Sequence, residues 1–407
     1  MNPLVKELPK HSKFQELLKS IKNKESNLSI TGLTDASKAH VIYSLYNYSG
    51  VRPVVVCPNV TTAKRFIQDM KFYTDREVVF LPAREVIYYD VDVQSRETNN
   101  ARVYAISKLV NDEEIILVTT VEALLQPMLD KDEYVGLNIK FKLGDKVELN
   151  NLIQRFLKLG YIREELVTAK GQFSIRGGII DIFPVESDAP YRIELFGDEI
   201  DSIRSFDIMD QRSKKTLEEF EINFSTEYVI NKSNVEVLQD TLTAVLESGV
   251  QAEIKKSIVQ DLEKIENGNY LGLIDRYFEA MVPNSVTLLD YLENNYTIYF
   301  DDISKQTSRS DTINFENAEA IKVAATSGIY TKYAFKYVSF DVIQAKLKSL
   351  SSVYLSKLGE GRVLHAKRKE YSFSCREVNF FRSTMDLLIK DVKKYKEEEK
   401  IILLVFP

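Results

Sequence analysis

Apolar residues in the first third of the chain follow two alternating patterns. Lys13–Lys24 places Phe14, Leu17, Leu18 and Ile21 at helical spacing, so one stripe of that helix faces a core. Leu28–Ile30 then reads as a short strand, Thr31–Ser37 as a turn, and the stretch holding Val41, Ile42, Leu45 and Tyr46 as a helix. The runs Pro53–Val56, Val78–Leu81 and Ile115–Val118 are continuous in apolar character, as strands covered on both faces are. Helices from Thr61 to about Tyr73 and near Arg102–Val110 separate them. Strands and helices in succession predict an open, doubly wound α/β sheet, which binds ligands at the carboxyl ends of its strands.

From Leu137 to Phe224 the period shortens to two. Strands are predicted at Ile139–Leu143, Phe173–Arg176, Gly178–Phe183, Tyr191–Phe196 and Ser202–Asp207. One helix, Leu149–Leu159, lies among them and stops at Gly160, a glycine in the usual place for a helix end. This is the signature of an inserted antiparallel α+β unit. After Asn234 the pattern is helical through Leu262, and Tyr296–Phe300 restores a buried strand. Gln306–Thr312 is polar enough for an exposed loop. The division that follows is an α/β domain over 1–136, an inserted α+β domain over 137–225, a return to the α/β domain over 226–375, and the start of a third domain over 376–407. The end of the chain, a helix at Phe380–Glu397 and a strand at Ile401–Phe406, reads as the opening of a domain, so a longer parent protein is expected.

Charge and composition narrow the chemistry. Lys and Arg number 54 against 60 Asp and Glu, a net charge of −6, which lacks the basic excess of a protein whose main task is gripping nucleic acid. Only Cys57 and Cys375, and His11, His40 and His365, are present, too few for a disulfide scaffold or a zinc centre. No apolar run is long enough to cross a bilayer, and Met1–Lys6 lacks a secretory core. A soluble cytoplasmic protein is predicted, with no metal site of its own. The basic run Lys367-Arg368-Lys369 reads as a solvated loop.

The turn after the first strand has phosphate-loop spacing. Gly32-Leu33-Thr34-Asp35-Ala36-Ser37-Lys38-Ala39 aligns with GxxxxGK[ST], in which glycines expose backbone N–H groups, Lys reaches the β/γ oxygens and a hydroxyl holds Mg²⁺. Here Ser37 replaces the second glycine, Ala39 replaces the hydroxyl, and Asp35 adds negative charge; Lys38 alone survives. By itself this is an ordinary βα turn with a capping serine. Asp301 and Asp302 follow the strand Tyr296–Phe300 as an acidic metal-organising motif would, or as a helix cap would.

Several longer stretches carry a family resemblance. These are Phe80–Glu85, Leu117–Leu125, Ser174–Pro184, Pro190–Arg204, Ile265–Asn267 and Leu288–Leu292, together with Gly32–Lys38. They resemble the N-terminal module of the bacterial transcription-repair coupling factors, which is similar to the first lobe of the excision-repair helicase UvrB. The resemblance implies a degenerate RecA/helicase-like α/β domain interrupted by an inserted UvrA-binding domain. Two departures from UvrB agree with the coupling factors: the phosphate loop has lost its parts, and Tyr88–Gln94 leaves no room for UvrB's aromatic hairpin. No cofactor is implied for this chain, and no enzyme activity of its own. ATP and Mg²⁺ belong to a motor elsewhere in the parent, as do RNA polymerase and double-stranded DNA as partners. The vestigial nucleotide loop is then Gly32, Ser37, Lys38 and Ala39, and the vestigial acidic motif Asp301 and Asp302.

The same resemblance places UvrA binding on Arg176, Arg192 and Phe196, and implies that a C-terminal domain of the parent covers this face at rest. Strand alternation agrees for two of them. Tyr191, Ile193 and Leu195 form the apolar side of their strand, leaving Arg192, Glu194 and Phe196 on the outer side. Arginine beside an exposed aromatic is the composition of an interface hot spot. Arg176 precedes Gly177-Gly178, which permits a bulge, so alternation alone leaves its face open, and pairing with Asp181 is equally available. The competing reading is an active helicase or ATPase of the UvrB type that binds ATP through Lys38.

Overall fold

The apolar runs become strands because helices cover both of their faces. The computed structural model describes residues 3–89, 96–267, 271–293, 295–356, 369–375, 385–398 and 400. In chain order the first strands are β1 (Leu28–Thr31), β2 (Arg52–Cys57), β3 (Val78–Leu81) and β4 (Ile116–Thr120). Next come β5 (Ile139–Lys142), β6 (Ile162–Arg163), β7 (Gln172–Arg176), β8 (Ile179–Ile182), β9 (Tyr191–Phe196) and β10 (Glu199–Phe206). They are followed by β11 (Ser213–Leu217), β12 (Glu219–Ile222), β13 (Tyr296–Asp301), β14 (Ser351–Ser356) and β15 (Lys369–Ser372).

Among the described residues, seven strands form one sheet in the order β15-β1-β14-β13-β2-β4-β3, every pairing parallel. Successive side chains go to opposite faces. Val54 and Val56 of β2 join Leu117, Ile298 and Phe300 in a cluster with Val103 and Ile106 of the helix Arg96–Val110. Val55 and Cys57 join the opposite cluster, with Phe14 and Leu17 of Ser12–Lys22, Ile42 and Leu45 of Asp35–Ser49, and Phe66 and Met70 of Val60–Tyr73. This is the doubly wound α/β layer read from the sequence. No helix among the described residues is long and apolar enough to cross a membrane.

A second sheet, ordered β11-β10-β9-β8-β7-β6, holds the inserted strands. It is antiparallel except for the short parallel pair β6–β7. β5 is not part of it and pairs instead with β12. On the inner face Ile180, Ile193 and Ile203 stand opposite one another and are fully buried. They pack in one core with Leu152 and Phe156 of the helix Leu149–Lys158, and the rings of Phe156 and Phe173 lie 5.0 Å apart. Burying a side chain of this size contributes about 1.5–3 kcal/mol.

Two expectations, for Gln306–Thr312 and for Lys369, are corrected, and three further features are seen. Gln306–Thr312 is not an exposed loop but part of the helix Ile303–Thr326, in which Gln306 and Ser310 are buried. The polar run misleads because Gln306 spends its amide on the carbonyls of Val56 and Asp301, at 2.7 and 2.9 Å. The helical stretch after Asn234 is two helices, Lys232–Glu247 and Ala252–Glu266, with Gly249 at φ +82° between them. β14 and β15, unseen in the pattern, complete the parallel sheet, and Lys369 belongs to β15 and pairs with Glu25 at 3.2 Å rather than to a solvated loop. Finally, Gly177-Gly178 makes no bulge: Arg176 stands directly opposite Ile179 across a two-residue turn, with Gly177 at φ +60°. Met385–Glu397 is the described part of the last helix; Ile401–Phe406, Lys367-Arg368 and Asp90–Gln94 lie outside the described residues.

Gly160 is a position where glycine is required. Its φ is +84°, and a Cβ there would lie 2.6 Å from Cβ of Thr226 and closer still to its Cγ2. Gly160→Ala is expected to lower the unfolding free energy by about 1–3 kcal/mol, read as a shift of the urea midpoint. An unchanged midpoint would mean that the turn into β6 tolerates a side chain.

Candidate docking face and the turn after the first strand

The outer face of the second sheet is built by register. Directly opposed residues share a face, and the pairings Ser174–Asp181–Arg192–Arg204 and Arg176–Ile179–Glu194–Ser202 run across β7, β8, β9 and β10. Arg176 therefore lies on the same side as Arg192, which alternation could not decide. Asp181 is buried between them. It accepts from Arg192 Nε at 2.7 Å and Nη2 at 2.9 Å, and from Arg176 Nη2 at 2.7 Å. The hydrogen bond from Arg192 to Asp181, outweighing its partial burial, holds that guanidinium's pKa above the usual arginine range. Arg192 also stacks on Phe206, 4.6 Å from the ring centre, and Glu194 is engaged by Arg204 and Ser202.

Phe196 ends β9 and is 84% exposed. Beside it is a notch of about 390 Å³ bounded by Leu143, Gly144, Glu199, Ile200 and Asp201. Arg176, Arg192 and Phe196 thus share one face, but differ in access. The Arg192 side chain is 16% exposed and the Arg176 side chain 46%. At the other end of the face Phe206 joins Val167 and Phe183 in a small separate cluster. Sequence reasoning named the three outer residues and offered Asp181 as a partner for Arg176, a pair that forms at 2.7 Å; it did not foresee that Asp181 also holds Arg192.

The turn after β1, with phosphate-loop spacing, is closed on itself. Gly32 follows β1 at φ +77°, and its carbonyl accepts from Cys375 N at 3.0 Å. Ser37 Oγ donates to the Thr34 carbonyl at 2.9 Å, and Ala39 is fully buried. Lys38 is buried and donates to Asp301 Oδ1 at 2.6 Å and Asp35 Oδ1 at 2.8 Å. Burial works against its charge, but Asp301 and then Asp35 outweigh it and raise the Lys38 pKa. Asp35 is lowered, first by the hydrogen bond from Lys38, and also pairs with Arg65. Asp302 sits at φ +60° and caps the helix Ile303–Thr326, accepting from Lys305 N at 3.3 Å and Ser304 Oγ at 2.9 Å. Asp301 and Asp302 both therefore have partners within the chain. His40 is a packing residue: its Nε2 meets the Leu4 carbonyl at 2.9 Å, its ring stacks on Tyr73, and burial lowers its pKa.

The chain thus combines a RecA-like parallel α/β sheet with an inserted antiparallel unit that carries this outer face. Residues 139–228 match the family model described as the UvrB interaction domain. Along nearly its full length the chain is similar to transcription-repair-coupling factors. That of Staphylococcus epidermidis is 26% identical over 405 residues, covering 97% of this chain and 34% of the relative. That of Bacillus subtilis is 27% identical over 398 residues, covering 94% and 33%. That of Staphylococcus aureus is 25% identical over 393 residues, again 94% and 33%. The chain spans about a third of the length of the curated relatives it matches.

Lys38 and Asp301 form a buried pair, their side chains 10% and 5% exposed. Removing one partner strands the other charge, so Lys38→Met is expected to cost about 3–5 kcal/mol in urea unfolding, with most of it recovered by adding Asp301→Leu. Unaltered stability in Lys38→Met would contradict this. The pH signs differ between the partners. Lys38, raised in the fold, contributes fully below the ordinary lysine value of 10.5 and loses that contribution as pH climbs through its folded value. Asp35, lowered, contributes above 3.8 and loses it as pH falls through its folded value. Asp35→Asn should accordingly flatten the acid limb of the stability profile and, because Asp35 also helps to raise Lys38, weaken the alkaline limb while Asp301 preserves part of it.

Proposed function

We propose that this chain recruits UvrA, docking through Arg176, Arg192 and Phe196 on the outer face of the second sheet. The observation that carries the reading is Phe196, 84% exposed on the face that also presents two arginines. A large aromatic left in water beside guanidinium groups is the composition of a hot spot awaiting a partner. The match of residues 139–228 to the UvrB interaction domain supports the same surface. In the longer parent this module links RNA polymerase stalled on double-stranded DNA to excision repair in the cytoplasm. There an ATP- and Mg²⁺-dependent translocase motor supplies movement, and a C-terminal domain covers the docking face until the protein is engaged.

The same reading has the remnant loop hold no nucleotide, so the chain itself is not an enzyme. Its residues fit a magnesium nucleotide poorly: Ala39 offers no hydroxyl, Ser37 is turned to the Thr34 carbonyl, and Lys38 is committed to Asp301 and Asp35. An ATP-binding helicase of the UvrB type would require Lys38 to leave both carboxylates for phosphate. Asp301 and Asp302 would also have to exchange their present partners for the metal.

Alanine at Arg176, Arg192 or Phe196 is expected to weaken binding to purified cognate UvrA by about 1–3 kcal/mol each, measured by calorimetry. Triple-alanine protein that binds as the native chain does would refute the docking surface. Titration with Mg-ATP should give no heat; a saturable isotherm abolished by Lys38→Met would instead establish the helicase reading. The resting full-length parent should bind UvrA more weakly than this chain, and equal affinities would remove the covering domain from the account.

A further inference from the structure

Asp181, offered by the sequence only as a partner for Arg176, has no task in the docking reading. Its side chain is 1% exposed, on the middle strand β8, and each of its hydrogen bonds comes from a guanidinium. The two arginines it joins are held differently. Arg192 is fixed on three sides. Asp181 takes its Nε and Nη2, the ring of Phe206 lies 4.6 Å away, and the Gln211 carboxamide oxygen accepts at 3.2 Å. Arg176 spends one N–H on Asp181, at 2.7 Å, and no further acceptor for its fork is recorded among the described residues. Its side chain stays 46% exposed.

We propose that Asp181 is a positioning residue for docking: it locks Arg192 as an internal strut and aims the unused N–H groups of Arg176 outward to take a carboxylate side chain of the partner. This rests on the docking reading and assigns the arginines unequal work. Arg176 makes the contact, whereas Arg192 acts through Asp181. A guanidinium accepts a carboxylate through a planar fork whose orientation must be right. A long side chain tethered at one nitrogen loses less freedom on binding than a loose one. The triad of one carboxylate and two guanidinium groups keeps a net positive charge, so the tether does not cancel the attraction.

Simple charge and the tether predict opposite outcomes for Asp181→Asn. The substitution makes the triad more positive, so charge alone would tighten binding to an acidic partner. The tether predicts weaker binding, by about tenfold. Affinities for purified UvrA are measured for the native chain, Asp181→Asn, Arg176→Ala and the double variant. The expected result is a loss in each single variant and no further loss when Asp181→Asn is added to Arg176→Ala, because Asp181 acts through that side chain. Native or tighter binding by Asp181→Asn, with Arg176→Ala impaired, overturns the tether and leaves the docking surface standing. Native binding by both Arg176→Ala and Phe196→Ala instead sinks the docking surface itself. Should Asp181→Asn fail to fold by circular dichroism, Arg192→Lys decides the matter: it keeps the charge and loses the fork. A loss of affinity that vanishes on the Arg176→Ala background supports the proposal, and undiminished affinity overturns it.

Discussion

Cross-strand register in the inserted sheet is the constraint on which the rest of this structure depends. Arg176 opposes Ile179, and Asp181 opposes Arg192. The two-residue turn at Gly177-Gly178 sets this alignment, and the fully buried line Ile180, Ile193 and Ile203 holds it from beneath. A slip of one residue in β8 would carry Asp181 to the core side and Ile180 to the solvent side. The hydrophobic inner face thus fixes the polar outer one. Gly178 adds a second restriction: a Cβ there would lie 3.1 Å from the Leu195 carbonyl, on the strand that ends in Phe196.

The Lys38 cluster and the outer sheet face resolve their charge in opposite ways. At the turn after β1, Lys38 is shared between Asp301 and Asp35, Asp35 is shared with Arg65, and Asp302 is absorbed into a helix cap. Its polar groups are satisfied internally, which is what a buried cluster must achieve to avoid the cost of stranded charge. On the outer sheet face one buried carboxylate serves two guanidinium groups, and a phenyl ring stands in water. That imbalance is what the proposed docking would resolve. Both sites rest on one scaffold, since the core under the inserted sheet is continuous with one face of the parallel sheet.

Much of this was legible in the sequence for identifiable reasons. The strands β2, β4 and β13 are buried on both faces and read as unbroken apolar runs, and the outward direction of Phe196 followed from alternation along β9. What escaped notice depends on partners remote in sequence. β14 begins with Ser351 and Ser352, which are buried by pairing with β13, and β15 is a short edge strand whose Lys369 and Glu370 are exposed. Gln306 looked like a loop residue because nothing local reveals that the Val56 carbonyl receives its amide. Arg176 could not be given a face until the pairing partner of β7 was known. Asp181 was legible as a partner for Arg176, but its grip on Arg192 depends on a cross-strand register that the sequence does not show.

Hydrogen–deuterium exchange of the chain with and without UvrA tests the central claim most directly. The account predicts slowed exchange in β8, β9 and the turn Phe196–Glu199, with the loop Gly32–Lys38 unchanged. Protection confined to the parallel sheet, with β9 and its turn exchanging as in the free chain, would contradict it.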